Sequence, residues 1–208
     1  MLDARARRLI DPPLDRLGGA LARLGLGANA VTVGGFALGA GAWAALAVQA
    51  YTVALGLIAA NRFADGLDGA LARRHGPTEL GGYLDVVLDF VFYAGVPFAV
   101  AVGRPEFALP AAFLVFSFVG TGTSFLAFAA VAARRGLTTE ARGRGKALYY
   151  LGGLTEGAET IALFALVCLR PDWFPVLAWG FGGLCWLTTA TRVFTAYRSF
   201  RRPGKDAA

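Results

Sequence analysis

Residues 65–89 read DGLDGALARRHGPTELGGYLDVVLD, and this stretch decides the fold. It carries four aspartates, Asp65, Asp68, Asp85 and Asp89, in an otherwise very apolar chain. Asp65 and Asp68 are three residues apart, and Asp85 and Asp89 four apart, so on helices each pair shares one face. A short linker containing Gly76 and Pro77 separates the pairs. Two neighbouring antiparallel helices can therefore point all four carboxylates at one spot. Carboxylates that close repel one another unless cations or protons neutralise them, and all-oxygen ligand sets suit Mg²⁺, Mn²⁺ or Ca²⁺. Gly66 and Gly69 leave room beside the acids for a ligand, and Arg73, one turn beyond Gly69, is placed to meet a phosphate. The chemistry expected here is metal plus phosphate.

The rest of the chain sets this cluster in a bilayer. Of 208 residues, 56% are hydrophobic and only 16% charged, with a mean hydropathy of +0.55. A soluble domain carries about 25% charged residues, so the composition predicts a one-domain integral membrane protein. The net charge of +6 comes mainly from arginines at segment ends, as membrane orientation requires. No basic patch is left over for nucleic acid. Cys168 and Cys185 sit in apolar runs and read as packing thiols rather than a disulfide framework. Residues 1–28 are broken by Asp3, Asp11, Pro12, Pro13 and Asp15, which does not fit a secretory signal.

In chain order, residues 1–28 form a juxtamembrane segment. Within it, Leu14, Leu17, Leu21 and Leu24 recur at helical spacing among arginines, predicting an amphipathic surface helix. Asn29 reads as the cap of the next helix, with Thr32 in its first turn. Residues 29–200 form one domain of six transmembrane helices, predicted over 30–49, 52–73, 83–103, 108–133, 147–169 and 174–197. Residues 201–208 read as a disordered tail. Basic residues gather at the N-terminus, around 74–82, in the 134–146 loop and at the C-terminus. The turns at 50–51, 104–107 and 170–173 hold almost none. That alternation places both termini on the cytoplasmic side of a bacterial cytoplasmic membrane. It also brings both acidic pairs into the cytoplasmic half at similar depth, an agreement the motif spacing alone does not require.

An ionisable residue at the centre of a span costs about 2.5–3.5 kcal/mol on insertion scales. Two explanations need no enzyme. The acids form interhelical salt bridges to Arg62, Arg73, Arg74 or Arg192, or they line the path of a cation- or proton-coupled transporter. The second accounts for the acids but not for the glycines and Arg73.

The residues Asp65-x-x-Asp68-Gly69-x-x-Ala72-Arg73 and Gly81-x-x-x-Asp85-x-x-x-Asp89 resemble the signature of the CDP-alcohol phosphotransferases, membrane enzymes of phospholipid synthesis. Seven residues separate Arg73 from Gly81, fewer than the family usually has, which bears on loop contacts such as any made by Thr78. The resemblance implies an all-α membrane fold and, as cofactors, two divalent cations, Mg²⁺ or Mn²⁺. Asp65 and Asp85 would bridge them, Asp68 would complete one site, and Asp89 would ligate the other ion and act as general base. Gly69 and Arg73 would meet a CDP-alcohol donor, with Thr78 in the loop and Asn29 and Thr32 at the first span. The reaction implied is transfer of a substituted phosphate from the donor, expected to be CDP-diacylglycerol, to an acceptor hydroxyl, with release of CMP. A homodimer surrounded by membrane lipids is implied as well. For the acceptor, the candidates are Glu156 and Glu159, expected on one face of the fifth span, with Arg192, Arg142 and Arg144. A Glu–Arg structural pair is the alternative for these residues.

Overall fold

The computed structural model describes residues 14–135 and 155–201. Residues 14–23 are helical and form α1. Then come α2 (Ala28–Ala47), α3 (Tyr51–His75), α4 (Glu79–Gly103), α5 (Ala108–Arg134), α6 (Gly157–Leu169) and α7 (Phe174–Phe200). Short 3-10 turns at Pro105–Phe107 and Pro171–Trp173 lead into α5 and α7. The first part of the juxtamembrane segment, the 201–208 tail beyond Arg201, and Arg142 and Arg144 lie outside the described residues.

Among the described residues, three stretches are both long and apolar enough to cross a membrane: Ala28–Ala47, Glu79–Gly103 and Pro105–Arg134. The helices α3 and α7 have 25 and 27 residues and so reach about 38 and 40 Å, enough to span. Their polar residues lower their hydropathy, and in α3 those residues are the acidic motif itself. The expected fifth span is corrected. Residues 155 and 156 are not helical, and α6 begins at Gly157 with 13 residues.

The middle of the bundle is one apolar cluster built on Leu46, Ile58, Phe92, Val96, Leu114, Phe164 and Phe174. Here α2 runs along both α3 and α4, whereas α3 and α4 approach each other less closely than either approaches α2. The two acid-bearing helices are therefore neighbours that bring their acids together without packing along their length. They diverge across α2 and leave a cleft between them. What draws α2 in is small side chains: a Cβ added at Gly39 would stand 2.7 Å from the ring of buried Phe92. Trp43 closes the same contact by donating its indole N–H to the Phe92 carbonyl at 3.3 Å.

The end of the bundle away from the acids is tied by Arg104. It donates to Glu106 at 2.9 Å and to Asp172, lies over the Phe107 ring and touches Tyr51 at the start of α3. Hydrogen bonds to Asp172 and then Glu106 hold its guanidinium above its ordinary pKa. Both 3-10 turns are thereby joined. Tyr51 is fourteen residues before Asp65, which places the acids about 21 Å along α3 from this network.

Candidate metal and phosphate site

The α3 helix stops where Gly76 takes φ +91°, a conformation that L side chains rarely adopt. Pro77 follows, and Thr78 caps α4 by accepting from the Gly81 N–H at 3.0 Å. This three-residue connection reverses the chain and sets Asp65 and Asp68 near the end of α3 level with Asp85 and Asp89 near the start of α4. The cleft they share is lined by Asp65, Asp68, Asp85 and Asp89, by Asn61 and Arg62, by Leu88, and by Thr32, Gly35 and Phe36 from α2.

Carboxylate oxygens of Asp65, Asp68 and Asp85 all lie within 4.8 Å of one another. Asp68 is buried, Asp65 is half-buried and Asp85 opens to the surface. Buried Asp68 Oδ2 has no hydrogen-bond partner among the described residues. A buried carboxylate oxygen without a donor is costly unless something positive meets it. Two acidic neighbours cannot supply that, and a hard divalent cation can. The three residues therefore fit such an ion, which Asp68 Oδ2 would meet directly.

The fourth aspartate is held differently. Arg62 donates from Nη2 to Asp89 Oδ1 at 2.8 Å, and its Nη1 lies 3.7 Å from Asp65 Oδ2. Its other two nitrogens donate as well, Nε to Asn61 Oδ1 at 2.8 Å and Nη1 to the Tyr93 hydroxyl at 3.1 Å. The Tyr93 hydroxyl reaches back to Asp89 Oδ2 at 3.5 Å. Asn61 is anchored in turn by donating from Nδ2 to the Gly35 carbonyl at 2.8 Å. Of the salt bridges weighed for the acids, the one to Arg62 is thus present. Arg73 instead pairs with Asp15 at 3.0 Å, and Arg74 donates to the Asp15 carbonyl. Asn61 and Tyr93 are site residues that the motif does not flag. Their signal is positional, with Asn61 four before Asp65 and Tyr93 four after Asp89 on the same helices.

The remaining candidates distribute unevenly. Asn29 does not cap α2, since Gly27 holds that position without a side-chain bond. Asn29 Oδ1 sits so close to the start of α4 that a Cβ on Gly81 would come within 2.9 Å of it. Thr32 donates to the Ala28 carbonyl at 3.1 Å and lies beside Asp68. Gly69 faces open space apart from the Arg73 side chain, as expected of a residue beside a ligand. Gly66 does not, because a Cβ there would meet Leu14 Cδ1 at 2.7 Å. The absence of that side chain seats α1, whose Leu14 packs on Leu67 and Ala70. Glu156 and Glu159 form a reciprocal capping box at the start of α6. They therefore do not share a mid-span face as expected. Arg192 donates to the Thr121 carbonyl at 3.0 Å and stands over Phe125.

A family model described as CDP-alcohol phosphatidyltransferase matches residues 25–194. The chain is 49% identical over 202 residues to the inner membrane protein YnjF of Escherichia coli (strain K12), covering 97% of this chain and 98% of that one. It is 36% identical over 101 residues to an archaetidylinositol phosphate synthase of Pyrococcus horikoshii, covering 48% of this chain and 54% of the relative. Among solved structures it resembles the phosphatidylinositol phosphate synthase PgsA1 of Mycobacterium tuberculosis with CDP-DAG bound. That match has a TM-score of 0.65 at 21% identity, covering 88% of this chain and 93% of that one. A second structure of PgsA1, with manganese and citrate, gives a TM-score of 0.62 at 21% identity and covers 88% of each chain.

Proposed function

The chain belongs to the CDP-alcohol phosphatidyltransferase family, and from that premise we propose that it moves a phosphatidyl group from CDP-diacylglycerol to an acceptor hydroxyl, with release of CMP. The observation that carries this reading is the Asp65–Asp68–Asp85 triad with its unpartnered Asp68 Oδ2, opening beside Asp89. The donor assignment draws support from the family description and from the fold neighbour solved with CDP-DAG. The neighbour solved with manganese supports a divalent cofactor. The relative in Escherichia coli supports a place in the bacterial inner membrane, and the distribution of basic residues supports both termini and the active site on the cytoplasmic face.

A pair of divalent cations, Mg²⁺ or Mn²⁺, supplies charge neutralisation on the donor diphosphate and on the departing CMP. Asp65, Asp68 and Asp85 would hold the first, and Asp89 would join them in holding the second. Asn29, Thr32, Gly69, Arg73 and Thr78 lie toward the donor, and bare Gly69 lets the nucleotide approach α3. Asp89 accepts the proton of the acceptor hydroxyl as that oxygen attacks phosphorus. Tyr93 orients the Asp89 carboxylate through its hydroxyl. The acceptor side runs past Tyr93, whose hydroxyl would lie 3.6 Å from a Cβ on Gly157, to Glu156, Glu159 and Arg192. Arg142 and Arg144 complete this group and would meet a phosphate on the acceptor. The enzyme acts as a homodimer among membrane lipids.

The test is exchange of labelled CMP into CDP-diacylglycerol by the purified protein, run across a panel of acceptor alcohols, because with direct attack by the acceptor the label enters only by reversal of the transfer. Exchange should require Mg²⁺ or Mn²⁺ and vanish in Asp89→Asn. Exchange that survives Asp89→Asn overturns the assignment of the base, and no exchange with any CDP-alcohol overturns the transferase reading.

A further inference from the structure

Arg62 stands outside the aspartate signature, yet no side chain in the cleft is more fully engaged. Its three guanidinium nitrogens reach Asn61, Tyr93 and Asp89, with Asp65 within 3.7 Å. Its Cζ also lies over two neighbouring rings, 4.7 Å from the Phe92 centroid and 5.3 Å from that of Tyr93. Asp89, which it binds, is the one signature aspartate outside the triad of oxygens within 4.8 Å.

We propose that Arg62 is the resident counter-cation of the cleft: it holds Asp89 until a second divalent cation takes that carboxylate, and thereby sets how weakly that cation binds. This rests on the two-cation reading above and goes beyond it to the order of loading. Arg62 offsets one of the four aspartate charges, and a divalent cation at the triad offsets two more. A second cation therefore enters a site that is already nearly neutral, and it must displace a short, partly buried, charge-assisted hydrogen bond to gain its ligand. The displaced guanidinium is not stranded. Asn61 Oδ1, the Tyr93 hydroxyl and the two aromatic faces hold it in place, so the exchange moves Asp89 and leaves Arg62 where it is. Linkage makes the effect reciprocal, because whatever loosens the Arg62–Asp89 pair tightens the second cation by the same factor. Arg62 is thus a positioning residue acting through Asp89.

The test is a Mn²⁺ titration of the full-length protein in detergent, followed by electron paramagnetic resonance, which counts bound ions without turnover. Wild type should bind one ion tightly and a second about tenfold or more weaker. Arg62→Gln should tighten the weaker site about tenfold while leaving the first within about threefold, and Arg62→Lys should restore the separation. Arg62→Met, which keeps the apolar stem on Phe92, takes the place of Arg62→Gln should that variant not fold. Two ions bound with the second no tighter in the uncharged variant overturns the Arg62 proposal and leaves the metal site standing. No Mn²⁺ bound by wild type overturns both.

Discussion

At the residue scale, everything depends on a buried carboxylate oxygen that the protein itself leaves unmet. Asp68 is 6% exposed, and its Oδ2 has no donor among the described residues. Asp68→Asn keeps the shape and removes the charge. It should weaken Mn²⁺ binding about a hundredfold or more, measured by titration, and abolish CMP exchange while the helical circular dichroism is retained. Asn61→Ala should cost about 1–3 kcal/mol of stability, because it removes the tie from α3 to the Gly35 carbonyl of α2 and leaves one donor of Arg62 without its acceptor. Thermal unfolding in detergent reads that loss. The four aspartates were legible in the sequence because their spacing and apolar setting have few structural explanations. Asn61 and Tyr93 were not, because a polar residue on a helix reads as a site only once its partners are known. The partners of Arg62 lie 27 and 31 residues away on another helix. Gly66 was misread for a related reason: the sequence does not show that α1 returns to occupy that face of α3, where it also brings Asp15 to Arg73.

At the element scale, hydropathy placed most helices within a few residues, since an apolar run ends where charges or Gly-Pro begin. It did not place the start of α6. There Glu156 and Glu159 cap a helix, which periodicity cannot distinguish from two acids on one face. Nor did it show that α2 separates α3 from α4, because the small residues that permit close packing look alike on every side of a helix. The cleft depends on that wedge. Gly39→Ala drives a Cβ to 2.7 Å from the Phe92 ring, which is fully buried and cannot yield. It should destabilise the protein by about 1–3 kcal/mol and lower exchange with it. Gly69→Ala meets only the Arg73 side chain at 3.5 Å. It should leave the melting temperature unchanged and raise KM for the CDP-linked donor, and the two variants together separate packing from binding.

At the scale of the whole molecule, one end of the bundle carries the acids and the other the Arg104 network, which gives the protein a direction. Cys168 and Cys185 are buried, so the background for thiol labelling is low. With a membrane-impermeant reagent, His75→Cys should label only in inside-out vesicles, and Glu106→Cys only in intact cells. The reverse pattern would place the site on the wrong face for a nucleotide-linked donor. The distribution of arginines predicts an orientation that this labelling tests, whereas the depth and enclosure of the site were not legible in the sequence, because they arise from how three helices diverge. The central claim is that this divergence builds a cation site from Asp65, Asp68 and Asp85. Crystals soaked in Mn²⁺ test it through anomalous scattering. The account predicts a peak about 2.0–2.6 Å from an oxygen of each of these three aspartates, and a cleft without a peak, or a peak elsewhere, contradicts it.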